Sequence, residues 1–398
     1  MKILQLTPRV PFPEDDGGKI GIANITKELS KLGADITLLY LFSDEADLEI
    51  PEYAYDYAEI IPVEHNTRNS ISKIARSIIT QKSLFIQKHS SKYVYNFVNH
   101  FLKGRDFDII HCDHSSMVPL GLYCQSILKC PIALRLHNLE WTIWQRYADS
   151  LSSVNPKRPF IQNQAKLLKE YEASILPKMD ISFAITDVDK KIAESMAPNA
   201  KITIASAGVN LDEWIPDANV SRNSNEMIHA TVYRWIHNLD AITWFADKVF
   251  PLISEFNPDI RLTLLGKSAP DWLAKYHEKF DLLGYVPEVQ SHLNRAGIYI
   301  APLFVGGGIR IKILEAMAME LPVIASPVAA EGINASESDG LFIANNEEEF
   351  AKHIKLLTSN LELRNSAGKA ARKYIELNYS WSASVKIIFE EYKKLLNI

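Results

Sequence analysis

Short apolar runs alternate with longer segments of helical period along most of the chain. KILQLT (2–7), DITLLYLF (35–42), DIIHC (108–112), PIALRLH (131–137), ISFAIT (181–186) and KITIA (201–205) read as buried strands. Helix-length segments such as 19–32 and 161–176 lie between several of them. Apolar strands separated by helices predict βαβ units and a parallel sheet. The pattern then restarts. MIHATVY (227–233), IRLTLLG (260–266), KFDLLGYV (279–286), GIYIAPL (297–303) and PVIAS (322–326) read as strands, with helices over 238–256, 287–296, 309–319 and 347–358. Between the halves, residues 210–226 (NLDEWIPDANVSRNSNE) are polar, hold a proline and lack periodicity, so a linker is expected there. A last helical run, WSASVKIIFEEYKKLL, falls near 381–396. The expected fold class is α/β, with two doubly wound parallel-sheet domains over 1–209 and 227–379. Open sheets of this kind bind ligands beyond the carboxyl ends of their strands, and a cleft between two such domains is the expected active site.

Composition narrows the class. At 398 residues the chain is too long for one ordinary core. Apolar residues make up 47% and charged residues 23%, with a formal net charge of −5, so nothing favours nucleic acid as a partner. Cys112, Cys124 and Cys130 form no CxxC pair, and their odd number fits a reducing, cytoplasmic compartment. The opening MKILQLTPRVPFP reads as a first strand rather than a secretory leader. No window approaches the roughly 18 uninterrupted apolar residues of a membrane span.

Charge is uneven. Residues 65–105 carry Arg68, Lys73, Arg76, Lys82, Lys88, Lys92, Lys103 and Arg105 and no Asp or Glu. Within them Ile71, Ile74, Ile78 and Ile79, and then Val94, Phe97, Val98 and Phe101, fall at helical spacing. Bases with an apolar stripe point to an anionic membrane surface, which would make the protein peripheral on the inner face of the membrane. The plainer reading is a solvated helical pair packed on the sheet.

The stretch VGGGIRIKILEAMAMELPVIAS (305–326) puts Arg310 and Lys312 in the first turn of a helix, where the macrodipole disfavours cations. Gly306, Gly307 and Gly308 let the backbone approach a ligand, and their N–H groups are suited to an anion. A nucleotide diphosphate held among these groups would account for the cations, with Glu315 accepting from a ribose hydroxyl. The alternative is a plain glycine turn beside a surface ion pair.

The order strand, glycine loop, helix with an internal Glu, Pro-led strand and VAAEG over 297–332 resembles the donor site of glycosyltransferase family 4, with its GT-B fold of two Rossmann-like domains facing across a cleft. PFPEDDGGKIGIANITKEL, FDIIHCDH, LRLHNLEW, WIHNLDAITWF, LTLLGK and NYSWSASVKIIFEEYKKLL resemble further family segments in the expected order. The resemblance implies a retaining transfer from a nucleotide-diphosphate sugar and no bound metal or other cofactor. It implies that Gly306, Gly307, Gly308, Ile309, Arg310, Lys312, Glu315, Arg234 and Glu331 form the donor site. It also implies that the helix over 380–398 rejoins the first domain. The first of the family's two loop–helix Glu residues falls on Gly307, and the usual Arg/Lys pair after the second domain's first strand is not evident in ATVYRWIHN. Arg310 and Lys312 then take the diphosphate role, as in the branch reading GGG-x-R-x-K-x-x-E.

In the first domain, His137 closes a strand and by resemblance lies near the transferred sugar. Arg135, on the same strand face, is expected to hold a phosphate, orient an acid or pair with Glu172. With Glu315, these two are the expected catalytic residues. Gly17, Gly18 and Lys19 form the expected acceptor or phosphate turn, and His111 or Asp113 lines the acceptor side. The HCDH run (111–114) is a poor metal site, because neighbouring strand residues point to opposite faces. The basic segment points to a lipid-linked or cell-envelope glycan as acceptor. A sugar-nucleotide epimerase and a non-catalytic nucleotide-sugar-binding subunit at the membrane surface are the alternatives.

Overall fold

The computed structural model describes residues 1–14, 17–234, 236–270, 272–273, 278–306 and 309–398. It divides into two compact units, Met1–Ser206 with Trp381–Ile398, and Ala207–Ser380.

Unit 1 is built on seven parallel strands: β1 (Lys2–Thr7), β2 (Asp35–Phe42), β3 (Glu59–Glu64), β4 (Ile109–Asp113), β5 (Ile132–Leu136), β6 (Ile181–Ala184) and β7 (Ile202–Ile204), in the order β3-β2-β1-β4-β5-β6-β7. Every residue of β4, β5 and β6 is buried, as expected for strands covered on both faces. The helix Gly17–Lys31 buries Ile22, Ile25 and Leu29, a stripe at helical spacing. The terminal helix Trp381–Leu396 lies beside it and buries Trp381, Val385, Ile388 and Tyr392.

Unit 2 is a six-stranded parallel sheet of β8 (Asn223–Ala230), β9 (Arg261–Leu265), β10 (Phe280–Gly284), β11 (Ala296–Ala301), β12 (Val323–Ala325) and β13 (Leu341–Ile343), ordered β10-β9-β8-β11-β12-β13. Strand order reverses between β1 and β4 in one sheet and between β8 and β11 in the other. Those two switch points are where a doubly wound sheet opens a crevice at its carboxyl edge.

The two-sheet α/β architecture is the one expected. Pattern reading passes over β3 and β13. The first, EIIPVE, is an edge strand with polar ends and an internal proline; the second has only three residues. The expected linker 210–226 needs correction, because it is part of unit 2. Leu211 and Trp214 pack against that unit's core. Arg222 donates to the carbonyls of Leu293, Ala296 and Met319, and Asn223 begins β8. Backbone carbonyls take up the Arg222 guanidinium and Leu211 and Trp214 reach the core, so low hydropathy here does not mean an unpacked segment.

Candidate active site

In unit 1 the carboxyl ends of β1, β4 and β5 bring together a buried polar cluster centred on Asp113. Asp113 is fully buried and accepts from Gln5 Nε2 at 2.7 Å and from His137 Nε2 at 3.0 Å, while His111 Nε2 lies 3.3 Å away. Gln5 is oriented in turn by Thr26, whose hydroxyl donates to Gln5 Oε1 at 2.8 Å. His111 Nδ1 meets the Tyr392 hydroxyl of the terminal helix. Burial alone would raise the Asp113 pKa, but the two histidines hold it well below the usual carboxylate range.

Arg135 is buried beside this group, with Nη1 3.3 Å from both ring nitrogens of His137. Its guanidinium lies 5.8 Å from the centre of the Trp381 ring, within cation–π reach. Burial lowers its pKa to about 10, opposed by Asp113. Gly21 makes room for the pair: a Cβ there would sit 3.3 Å from His137 Cε1 and 3.5 Å from Arg135 Nη1.

His137 is held well below its ordinary pKa by burial, His114 and Arg135. Asp113 when ionised can only accept, so its contact with Nε2 calls for the ring proton there, which leaves Nδ1 as the acceptor beside Arg135. His114 stacks on His137 with centroids 4.1 Å apart and planes 3° from parallel. His114 has φ +76°, a conformation that a non-glycine residue adopts only where its surroundings hold it. Such a cluster fixes one orientation of a neutral imidazole and is poorly suited to taking up a proton.

Glu172 does not pair with Arg135. It caps the N-terminus of the helix Glu140–Ser150, accepting from Glu140 N at 3.1 Å, Trp141 N at 3.3 Å and Ser115 Oγ at 3.2 Å. Gly17, Gly18 and Lys19 form the first turn of the helix that follows β1.

In unit 2 the loop after β11 leads to the helix Ile311–Ala318, with Arg310 at its N-cap. Gly307 and Gly308 lie outside the described residues. Gly306 has φ +144°, and a Cβ there would lie 2.1 Å from Arg310 Nη2, so glycine is what lets the guanidinium fold back over the loop. Ile309 packs against the unit's core. Ser326, just after β12, ties the loop down: its hydroxyl donates to the Leu303 carbonyl and accepts from Ala329 N at 3.1 Å.

Glu315 is 3% exposed, and Lys312 Nζ lies 2.8 Å from its Oε2. Among the described residues no donor besides Lys312 reaches Oε2. Burial raises the Glu315 pKa and Lys312 opposes the rise. Lys312 Nζ also sits 5.8 Å from the Trp214 ring. The two cations at the helix start are thus turned onto a glycine and onto a buried carboxylate. His237, which pattern reading missed, is close enough to Arg310 for that charge to lower its pKa, after the larger effect of burial. Arg234 is exposed in the turn after β8, and Glu331 stands in the turn after β12. Among the described residues no three His, Cys, Asp or Glu are grouped to hold a metal ion.

Comparison with known proteins bears on both units. Residues 227–360 match the family described as "Glycosyl transferases group 1". Over 98% of this chain and 99% of its own, a Klebsiella pneumoniae protein described as an uncharacterized 44.6 kDa protein in the cps region is 23% identical. An uncharacterized glycosyltransferase of Methanocaldococcus jannaschii is 36% identical over 26% of each chain. Among solved structures, sucrose-phosphate synthase from Thermosynechococcus elongatus superposes with TM-score 0.78 over 100% of both chains at 14% identity. Anabaena HepE in complex with UDP gives 0.69 at 13% identity, covering 99% of this chain and 100% of its own. These likenesses are to whole chains of two Rossmann-like units, the GT-B architecture, and the sequence match falls on the unit that holds the glycine loop and Glu315. Residues 227–360 form a glycosyl transferases group 1 domain, and the chain is a glycosyltransferase of the GT-B kind.

Proposed function

We propose that the protein transfers a sugar, with retention of configuration, from a nucleotide-diphosphate sugar to a lipid-linked or cell-envelope glycan, as a member of the family 4 branch with the GGG-x-R-x-K-x-x-E motif. The observation that carries the donor half is Glu315, a buried carboxylate whose Oε2 is met by Lys312 alone among the described residues and keeps a lone pair open, on the helix whose start bears Arg310 and Lys312. A ribose hydroxyl donating to Glu315 would satisfy that acceptor. The two cations and the loop N–H groups would stabilise the leaving diphosphate as its charge develops. A proton-bearing, Asp113-bound His137 supports a front-face displacement in which the leaving phosphate, rather than the histidine, takes the acceptor proton. No step in this scheme calls for a metal, and turnover is expected to persist in EDTA. The solved relative HepE is described as bound to UDP-glucose, which supports a nucleotide-sugar donor here.

The acceptor half rests on the basic segment. Two of its cations are neutralised from outside it, Arg68 by Asp44 at 2.5 Å and Arg105 by Glu59 at 2.6 Å. The helix Ile71–Thr80 nevertheless exposes Ile71 at 87% and Ile79 at 80%, beside exposed Arg76. Solvated apolar side chains next to bases suit a lipid surface. Among the described residues no helix is long and apolar enough to cross a membrane. The cps-region relative and the fold neighbour WaaG, described as involved in lipopolysaccharide biosynthesis, support an envelope glycan.

Calorimetric titration with UDP, GDP, ADP and TDP tests the donor half. Selective binding of one nucleotide, lost in Arg310→Ala/Lys312→Ala, is expected; binding indifferent to that change refutes the assignment. Sedimentation with anionic liposomes tests the acceptor half. Binding should vanish in Ile71→Asp/Ile79→Asp and weaken in Lys73→Glu/Arg76→Glu. Absence of binding by the unmodified protein removes the membrane reading.

A further inference from the structure

Unit 2 holds a cavity of about 660 Å³ at the edge of its sheet opposite the glycine loop. It is lined by Ser224 early in β8, Gly297 early in β11 and Pro322 just before β12. The glycine loop leaves the other end of β11. The volume lies in the range that encloses a small organic ligand.

Its wall contains a charge that folding alone does not explain. Arg364 is 3% exposed, and its Nε and Nη1 have no hydrogen-bond partner. No carboxylate pairs with it among the described residues, and burial lowers its pKa. A buried guanidinium left unpaired costs several kcal/mol. A buried polar group left without partners on a cavity wall is one that a ligand could complete.

Two more cations line the same space. Lys369 is exposed one helical turn and a residue further along Leu361–Asn378, the helix that carries Arg364. Arg222 is fixed by its three carbonyl acceptors. Two acids also line it. Asp217 is engaged, accepting from Asn219 N at 2.9 Å and Asn219 Nδ2 at 3.1 Å. Glu320 acts electrostatically on Arg222 rather than on Arg364. The remaining polar wall, including Ser221, Ser224 and Asn365, carries hydroxyl and amide groups suited to a polyol.

We propose that this cavity is a second ligand site, separate from the donor site, for a small phosphate-bearing polyol of the sugar-phosphate class, with its oxyanion on Arg364 and Lys369. The assignment stands on the cavity and the unpaired arginine and does not depend on the donor reading.

The test uses the full chain with Arg310→Ala/Lys312→Ala, so that phosphate bound by the glycine loop does not obscure the result. Glucose 6-phosphate and inorganic phosphate are titrated by calorimetry. Glucose 6-phosphate is expected to bind, at least tenfold more weakly after Lys369→Glu and not measurably after Arg364→Met. Arg364→Met should also raise the melting temperature, since a desolvated charge is removed. If that variant misfolds, the exposed Lys369→Glu alone decides. Absence of binding, or binding indifferent to position 369, overturns the site. Equal affinity for inorganic phosphate overturns the polyol part of the assignment.

Discussion

Replacing Glu315 by Gln separates a binding role from a structural one. The substitution keeps the shape and removes the charge. On the folding side, the carboxylate is desolvated, so losing the charge relieves a cost. Lys312 loses a partner, but its side chain is 39% exposed, and pairs at that exposure contribute only about 0–1 kcal/mol. The net change in stability should therefore stay within about 1 kcal/mol. On the binding side, a hydrogen bond from a ligand hydroxyl to a buried carboxylate is worth about 1.5–3 kcal/mol. Nucleotide Kd should rise roughly 10- to 150-fold. Calorimetry with the preferred nucleotide, alongside urea unfolding of the same samples, reads both quantities. A raised Glu315 pKa also means that unmodified protein loses affinity on acidification earlier than an ordinary carboxylate would, whereas Glu315→Gln should show no such limb. Unchanged affinity in a folded variant refutes the ligand role. A stability loss above about 3 kcal/mol would make the pair a structural ion pair instead.

Further outcomes are expected elsewhere. Asp113→Asn leaves Arg135 buried without its counter-charge and should cost about 3–5 kcal/mol in urea unfolding; a loss below 1 kcal/mol would mean that Arg135 does not depend on Asp113. Gly306→Ala puts a Cβ where the Arg310 guanidinium lies, at a φ of +144° that alanine tolerates poorly, so nucleotide affinity should fall and unit 2 should lose about 1–3 kcal/mol in urea unfolding; wild-type affinity contradicts that placement. His89 and His229 are buried, with pKa values lowered to about 3 and about 4 mainly by desolvation. They are neutral when folded and take a proton near 6.5 when unfolded, so their contribution is present above pH 6.5 and lost as pH falls toward 3–4. Each should remove about 1.4 kcal/mol of stability per pH unit across that window, and His229→Gln should flatten the acid limb of unit 2.

The sheets were legible because strands in parallel sheets are apolar on both faces, as DITLLYLF and GIYIAPL show. The donor helix was legible because its cations contradict the macrodipole. The Asp113 cluster was legible only in part: His111, Asp113, Arg135 and His137 stand at strand ends in the sequence, but Gln5, Thr26 and Tyr392 join them from distant parts of the chain, and no spacing marks them. The neutralisation of Arg68 and Arg105 was hidden for the same reason: Asp44 and Glu59 lie outside the acid-free segment. Polarity misled at 210–226, where backbone carbonyls, invisible to a composition count, take up the side chain of Arg222.

The return of Trp381–Leu396 to unit 1 orders synthesis. Ala207–Ser380 is synthesised before the helix that finishes unit 1. Until then the surface that will receive Val385, Ile388 and Tyr392 stays uncovered, and His111 lacks its hydroxyl partner. The earlier-encoded unit therefore waits, through the synthesis of the whole of the later one, as a nascent intermediate with an uncovered apolar face that a chaperone would recognise. A stop codon just before Trp381 would leave the glycine-loop unit intact and strip the first unit of its closing layer.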